Sequence, residues 1–280
     1  MQAFRHEGAL ARIDADVVRV AASLVRQGRV YDLGLEINES MPQGPRGQFV
    51  PYSRAFSATP EGTGGDARPF TFSAEVITGT LHTSTHIDAL IHIQAYGRIY
   101  GGARAQDCRN DQGWLMYGAE TIAPIVGRCL LLDVAGEGSQ LPDGYEITVE
   151  DIETALSSAG VEVHTGDIVL VRTGKIRQFI DDTRAFERSQ PGVGAEAAIW
   201  LYEHGLSVLG TDTAGTEPMP FANDESTAHR AMLVERGVHL IENLYLEDLS
   251  ADFVHEAFFA GLPLKFTGAT GSWIRPIAIV

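Results

Sequence analysis

Three histidines and one aspartate fall within His82-Thr83-Ser84-Thr85-His86-Ile87-Asp88-Ala89-Leu90-Ile91-His92. Imidazole and carboxylate are the side chains with which proteins hold zinc, manganese and iron. A catalytic metal site uses about three protein ligands and keeps a further position open. His82, His86 and Asp88 supply that number. His92 is then left close by as a group able to move a proton near neutral pH. The chain has nine histidines, so a third of them gather in this one stretch, beside Ile87 and the apolar run Ala89-Leu90-Ile91. Polar groups held against buried apolar residues cost free energy unless they are satisfied, and a cation satisfies them. The chemistry expected of this cluster is metal-dependent hydrolysis.

The four residues occupy even positions, so an extended chain would put them on one face, whereas a helix would stack only His82 on His86. Thr83, Thr85 and Ile87 are β-branched and disfavour a helix. The expectation is a strand from Phe70 ending near His82, a loop carrying His86 and Asp88, and a short turn carrying His92.

Elements on both sides must hold this cluster. Leu10, Ile13, Val17, Val20, Ala21 and Leu24 recur at helical spacing over residues 10–27. Gln43–Arg68 contains Pro45, Pro51, Pro60 and a Gly-rich run, and reads as a long loop. After the cluster, strand and helix signals alternate. Arg128–Val134 is an apolar strand, and Thr148-Val-Glu-Asp151 has the form of a capping box opening a helix to about Ser158. Asp167–Arg172 is a buried strand, Gly194–His204 a helix and Leu206–Thr211 a strand. Thr227–Glu235 is helical, Val238–Leu244 a strand, and Pro263–Thr267 and Trp273–Val280 are closing strands. This alternation indicates an α/β or mixed class. No repeat, linker or low-complexity stretch divides the 280 residues, which read as one domain over 1–280.

With 21 basic against 37 acidic residues and a formal net charge of −16, the chain lacks the basic face that nucleic acid or an anionic membrane would require. The expected partner is a small-molecule substrate. The two cysteines, Cys108 and Cys129, make neither a disulfide framework nor a zinc knuckle. No apolar run approaches the length of a membrane span. Arg5, His6, Glu7, Arg12, Asp14 and Asp16 interrupt any signal-peptide core, so the expected compartment is the cytoplasm. No Gly-x-Ser-x-Gly elbow and no Gly-x-x-x-x-Gly-Lys-Ser/Thr loop is present, which removes the commonest serine-hydrolase and nucleotide readings.

The cluster resembles the motif His-x-Gly-Thr-His-x-Asp-x-Pro-x-His of the cyclase family of metal-dependent hydrolases, which includes bacterial kynurenine formamidases and isatin hydrolases. All three His and the Asp match, while Ser84 stands in place of Gly and Leu90 in place of Pro. Further segments are similar to the family's other blocks: Tyr31-Asp-Leu, Gly166-Asp-Ile-Val-Leu-Val-Arg-Thr-Gly174, Leu209-Gly-Thr-Asp212-Thr, Ala228-His229-Arg, Ile241-Glu242-Asn-Leu and Pro263-Leu-Lys-Phe-Thr-Gly. The resemblance implies a β/β/α domain around a small barrel-like mixed sheet, assembled as a homodimer or homotetramer. It implies metal ligation by His82, His86 and Asp88, completed in two-metal members by His229 and Glu242, with His92 as acid/base. Glu242 lies in an apolar strand, where a carboxylate needs a partner. Asp212 and Glu217 are placed to shape a pocket, although turn chemistry explains Asp212 equally well. His6, His164, His204, His239 and His255 form no cluster and read as structural or solvated.

A zinc or manganese ion in such a site lowers the pKa of a bound water and polarises a carbonyl. His92 would take the water proton and return it to a departing nitrogen. The bond cut would be a small amide, either an N-formyl aromatic amine or a ring amide such as isatin, with a lactone as the alternative. Two other readings stay open: an iron oxygenase built on His86, Asp88 and a distant His such as His229, and a structural metal with no catalysis.

Overall fold

Ile168–Arg172 is buried at every position and forms the middle of the molecule. The computed structural model describes residues 8–42, 52–57, 74–220 and 226–280. Nine strands make one sheet: β1 (Val30–Asp32), β2 (His86–Asp88), β3 (Ile125–Asp133), β4 (Ile168–Arg172), β5 (Val208–Thr211), β6 (His239–Glu242), β7 (Glu256–Gly261), β8 (Gly271–Trp273) and β9 (Ile277–Ile279). Their order is β1-β9-β7-β3-β4-β5-β6-β2-β8. The centre, β3-β4-β5-β6, is parallel. β7, β9 and β1 continue it antiparallel on one side, and β2 and β8 on the other. The result is a mixed α/β fold with the sheet curled into a half-barrel.

A parallel centre must be covered on both faces, which is why its strands read as continuous apolar runs. On one face, Ile168, Leu170, Leu131, Val208, Ile241 and Ile87 join one core. Helix α1 (Ala15–Ala22) packs there through Val17 and Val18, with Asp14 capping its first turn. The opposite face, with Val169, Val171, Leu132, Leu209 and Leu240, is covered by α2 (Val149–Ala159) and α3 (Ala195–Glu203). α2 opens on the capping box seen in the sequence: Thr148 caps Asp151, and Asp151 returns the bond. No helix among the described residues is long and apolar enough to cross a membrane.

At the C-terminal ends of the parallel strands, Arg172 is fully buried. It is bonded to Asp133 at 2.7 Å across the β3–β4 register and to both oxygens of Glu247 at 2.9 Å, with Gly136 and Ser139 carbonyls completing its donors. Glu247 opens helix α4 (Glu247–Ala251), so a single guanidinium ties two strands to the segment that follows β6.

Several expectations are corrected. His86 and Asp88 do not lie on a loop; they are the first and last residues of β2, which has partners on both sides. Those partners come from distant sequence, so no local signal marks them. The preceding strand is Ala74–Thr78, paired with Ser53–Ser57, and it ends before Gly79 rather than near His82. The rest of the expected Gln43–Arg68 loop, and Phe70–Ser73, lie outside the described residues. Pro263–Thr267 forms no strand. Pro263 cannot donate to a ladder, and its flanks Leu262 and Leu264 are exposed. The strand is instead Glu256–Gly261, whose inward positions are Ala257, Phe259 and Gly261, and Ala and Gly carry little strand propensity.

Replacing Arg172 with Leu leaves Asp133 and Glu247 without their cation in a largely buried setting. The expected loss is about 3–5 kcal/mol, read as a lowered urea midpoint at unchanged slope. A loss below about 1 kcal/mol, the scale of a surface pair, would show that the network does not hold these strand ends.

Candidate active site

Strand alternation builds the site. In β2, Ile87 points into the core beneath the sheet, and His86 and Asp88 therefore point to the other face. β6 places Glu242 opposite His86, and β8 places Gly271 opposite Asp88. A Cβ on Gly271 would stand 2.7 Å from His82 Cε1 and 3.0 Å from the Ile87 carbonyl oxygen. Glycine there is what admits the His82 ring.

The approach to β2 is fixed by polar groups. Ser84 has φ +52°, a left-handed backbone costing a non-glycine residue about 1–2 kcal/mol. It stands where the cyclase motif carries Gly, and this conformation is the physical reason for that Gly. The Ser84 carbonyl accepts from His86 Nδ1 at 3.0 Å and from Asn243 Nδ2 at 2.9 Å. Thr85 donates to the Asn243 carbonyl at 2.7 Å and accepts from the Leu35 N–H at 2.8 Å. Since a carbonyl only accepts, His86 carries a proton on Nδ1 and turns Nε2 toward Glu242 Oε2 at 3.4 Å and Asp88 Oδ1 at 3.7 Å.

Around Asp88 the distances are short. His82 Nδ1 is 2.8 Å from Oδ1, His229 Nε2 is 3.3 Å from Oδ2, and His92 Nε2 is 3.9 Å from Oδ2. His229 Nε2 also lies 3.2 Å from Glu242 Oε1. The His82 and His92 rings stack at 4.0 Å. Two overlapping groups result, His82–Asp88–His92 and Asp88–His229–Glu242, with the ligand atoms of each group within 4.8 Å of one another and Asp88 common to both. His82, His86, Asp88, His92, His229 and Glu242 thus converge, although they come from three separated stretches of chain. His92 differs from its expected place in one respect: it sits within a possible ligand group, not only beside one.

Both oxygens of Asp88 are buried, and among the described residues neither accepts a well-formed hydrogen bond. A carboxylate so placed, ringed by imidazole nitrogens, is costly without a cation. Three imidazoles and two carboxylates form the nitrogen and oxygen donor set of zinc or manganese. The residues fit a divalent metal.

Several supporting contacts have no counterpart in the motif. His229 Nδ1 is 2.5 Å from Glu217 Oε2, Thr216 Oγ1 donates to Glu242 Oε1 at 2.9 Å, and His82 Nε2 is 2.9 Å from Thr270 Oγ1. Glu217 was legible only as a pocket-shaping residue, and Thr216 and Thr270 not at all, because tertiary folding alone brings them in. Asp212 accepts three hydrogen bonds, from the Thr173 N–H and hydroxyl and from the Gly174 N–H, which is turn chemistry. His239 donates to the Asp88 carbonyl at 2.7 Å and is structural.

A model of the Cyclase family matches residues 31–218 of this chain. The chain belongs to the Cyclase family. It is 28% identical over 204 residues to a kynurenine formamidase of Bacillus cereus, covering 72% of this chain and 77% of that one. A crystal structure described as a novel cyclase superposes with a TM-score of 0.88 at 28% identity, over 98% of this chain and 95% of the other. Isatin hydrolase A from Ralstonia solanacearum shares the fold at 23% identity, with a TM-score of 0.69 over 95% and 97% of the two chains.

The charges of this Cyclase-family site are strongly coupled. Burial alone would raise Asp88, but the neighbouring His92, His82 and His229 imidazoles hold it well below the usual carboxylate range. Glu242 is likewise opposed by burial, yet His229 and His86 pull it down to about 2. Burial lowers His229, and Glu217 and Glu242 outweigh it, setting the ring well above its ordinary value. His86 is raised against burial by Glu242 and Asp88. His92 is the exception: burial dominates and takes it down to about 4, so it is neutral at pH 7.

Two outcomes follow from this geometry. Ligation requires neutral imidazoles, so raised pKa values at His86 and His229 mean that metal uptake releases protons and that affinity falls as pH drops. Calorimetric titration of chelator-stripped protein in buffers of different ionisation enthalpy should show the release; an enthalpy independent of buffer would contradict it. Gly271→Ala should displace His82 and weaken metal binding about 10–100-fold, the usual effect of disturbing a ligand's support. Competition with a chromogenic chelator measures this, and unchanged affinity would mean that His82 is not held as described.

Proposed function

We propose that this protein is a metal-dependent hydrolase that cleaves the C–N bond of a small amide, with zinc or manganese held by His82, His86, Asp88, His229 and Glu242. The observation that carries the reading is the Asp88 carboxylate, shared by two ligand groups and lacking other donors. A divalent cation at such a site supplies polarisation of a carbonyl and a lowered pKa for water. The similarity to a kynurenine formamidase and to isatin hydrolases supports an amide substrate, either an N-formyl aromatic amine or a ring amide.

The chain's own residues account for the proton movements. His92 is neutral at pH 7, its side chain 23% exposed, and its Nε2 faces the centre of the cluster. A neutral ring with one accessible nitrogen can take a proton from water as the C–O bond forms and hand it to the departing nitrogen as the C–N bond breaks. Asp88, 3.9 Å away, stabilises the imidazolium between those two transfers. The products are a carboxylate and an amine. For a ring substrate the two remain joined.

Separate variants distinguish ligand from proton carrier. His86→Ala should lose metal and activity together. His92→Ala should retain most metal and lose on the order of 10²–10⁴-fold in rate, measured on metal-replete protein against formamides, lactams, imides and lactones. Metal loss in His92→Ala equal to that in His86→Ala would make His92 a ligand. In heavy-oxygen water one solvent oxygen should enter the product. An atom taken from molecular oxygen instead would reject hydrolysis.

A further inference from the structure

The Asp88–His229–Glu242 group leans on Gly215-Thr216-Glu217, a segment outside the motif. Thr216 donates to Glu242 Oε1 at 2.9 Å, which leaves Glu242 Oε2 facing His86. Glu217 Oε2 lies 2.5 Å from His229 Nδ1 and also accepts from the His229 backbone N–H at 3.3 Å. One carboxylate oxygen therefore fixes both the ring and the backbone of His229.

The segment is itself clamped. Gln190 is fully buried, and its Nε2 donates to the carbonyls of Gly215 and Glu217 while its Oε1 accepts from the Gly215 N–H at 3.2 Å. The Gln190 backbone pairs in both directions with Met219, at 3.1 and 3.0 Å. Thr213 adds a hydroxyl bond to the Gly215 carbonyl at 2.6 Å. Every side-chain polar atom of Gln190 that can hold the segment does so.

The consequence is chemical. A carboxylate only accepts, so it keeps a proton on Nδ1, and the proton released for metal binding is the one on Nε2, which points between Asp88 Oδ2 and Glu242 Oε1 at 3.3 and 3.2 Å. Without Glu217 the neutral ring can place its proton on Nε2 instead. It would then donate to those two carboxylates and close itself to a cation.

We propose that Glu217 is a positioning residue which, acting through His229 on a segment clamped by Gln190, selects the tautomer that lets the Asp88–His229–Glu242 group hold a metal. This rests on the metal-dependent reading of the site. The role concerns occupancy and tautomer, because Glu217 acts on the ring nitrogen of His229 that faces away from Asp88 and Glu242.

The test uses the full chain, stripped by chelator and titrated with Mn²⁺ and, separately, Zn²⁺, with affinity and stoichiometry read by calorimetry and the Tm of the stripped protein recorded alongside. Glu217→Ala should weaken binding toward 100-fold and Glu217→Gln about tenfold, since the glutamine oxygen still accepts from Nδ1 without the charge. Any fall in the stripped Tm should be small beside the loss of affinity in both. Glu217→Gln keeps the shape of the side chain and carries the test if Glu217→Ala does not fold. Wild-type affinity and stoichiometry in the folded variants would overturn the proposal. So would a fall in stripped Tm with affinity unchanged, which marks a purely structural role. A wild-type protein that binds neither ion would remove the metal reading and this inference with it, whereas wild-type binding with unaffected variants removes only the inference.

Discussion

A carboxylate buried among imidazoles, which among the described residues accepts no well-formed hydrogen bond, is the constraint around which the site is arranged. Asp88 ends a three-residue strand with partners on both sides, so its backbone cannot move to relieve the charge. His82, His92 and His229 surround it, and Glu242 brings a second negative charge close by. The acids and the imidazoles compensate one another's charge at these distances, and a bound cation would take the place of the protons on His86 and His229. Together they have the donor set of a cation site. The price is carried by the scaffold: Ser84 in a left-handed conformation, Gly271 kept without a side chain, and Asn243 at φ +57° tied back to Ser84.

The ligands and their supports differ in how far chemistry constrains them. Ligands must be His, Asp or Glu. Supports need only donate or accept at the right point, and here they include a serine carbonyl, two threonine hydroxyls and a glutamate. Of these, the Ser84 carbonyl and the Glu217 carboxylate only accept, so they keep a proton on Nδ1 of His86 and of His229 and leave Nε2 as the nitrogen that faces the cluster. The oxygenase alternative loses its footing for a related reason. Its usual scaffold is an all-β double-stranded helix, whereas the ligands here sit beside the parallel centre of a mixed sheet covered by helices on both faces.

Much of this was readable in advance where the signal is local. The apolar runs of β3 and β4, the Thr148–Asp151 capping box and the helix that follows it all reappear with small shifts at their ends. The even spacing of His82, His86, Asp88 and His92 marked the cluster. His229 and Glu242 needed the resemblance to be found, because nothing between residues 92 and 229 announces where the chain returns. What could not be read depends on distant partners. His86-Ile87-Asp88 looks like a loop until β6 and β8 are set against it. Glu256–Gly261 looks too small to be a strand until Arg128–Leu130 and its neighbours supply the ladder. Gln190 shows no chemical pattern at all. Its role exists only because the chain folds Gly215–Glu217 back over it.

The placement of β2 also bears on how the molecule comes into being. Its ladder partners lie far along the chain: His86 pairs with Glu242, and Asp88 with Gly271. The parallel strands β3 to β5 and the helices over them can bury their apolar faces through shorter connections, while β2 has no neighbour until the last third of the chain arrives. Closing so long a loop costs entropy before any contact rewards it. The site is therefore complete only once β6 and β8 stand on either side of β2.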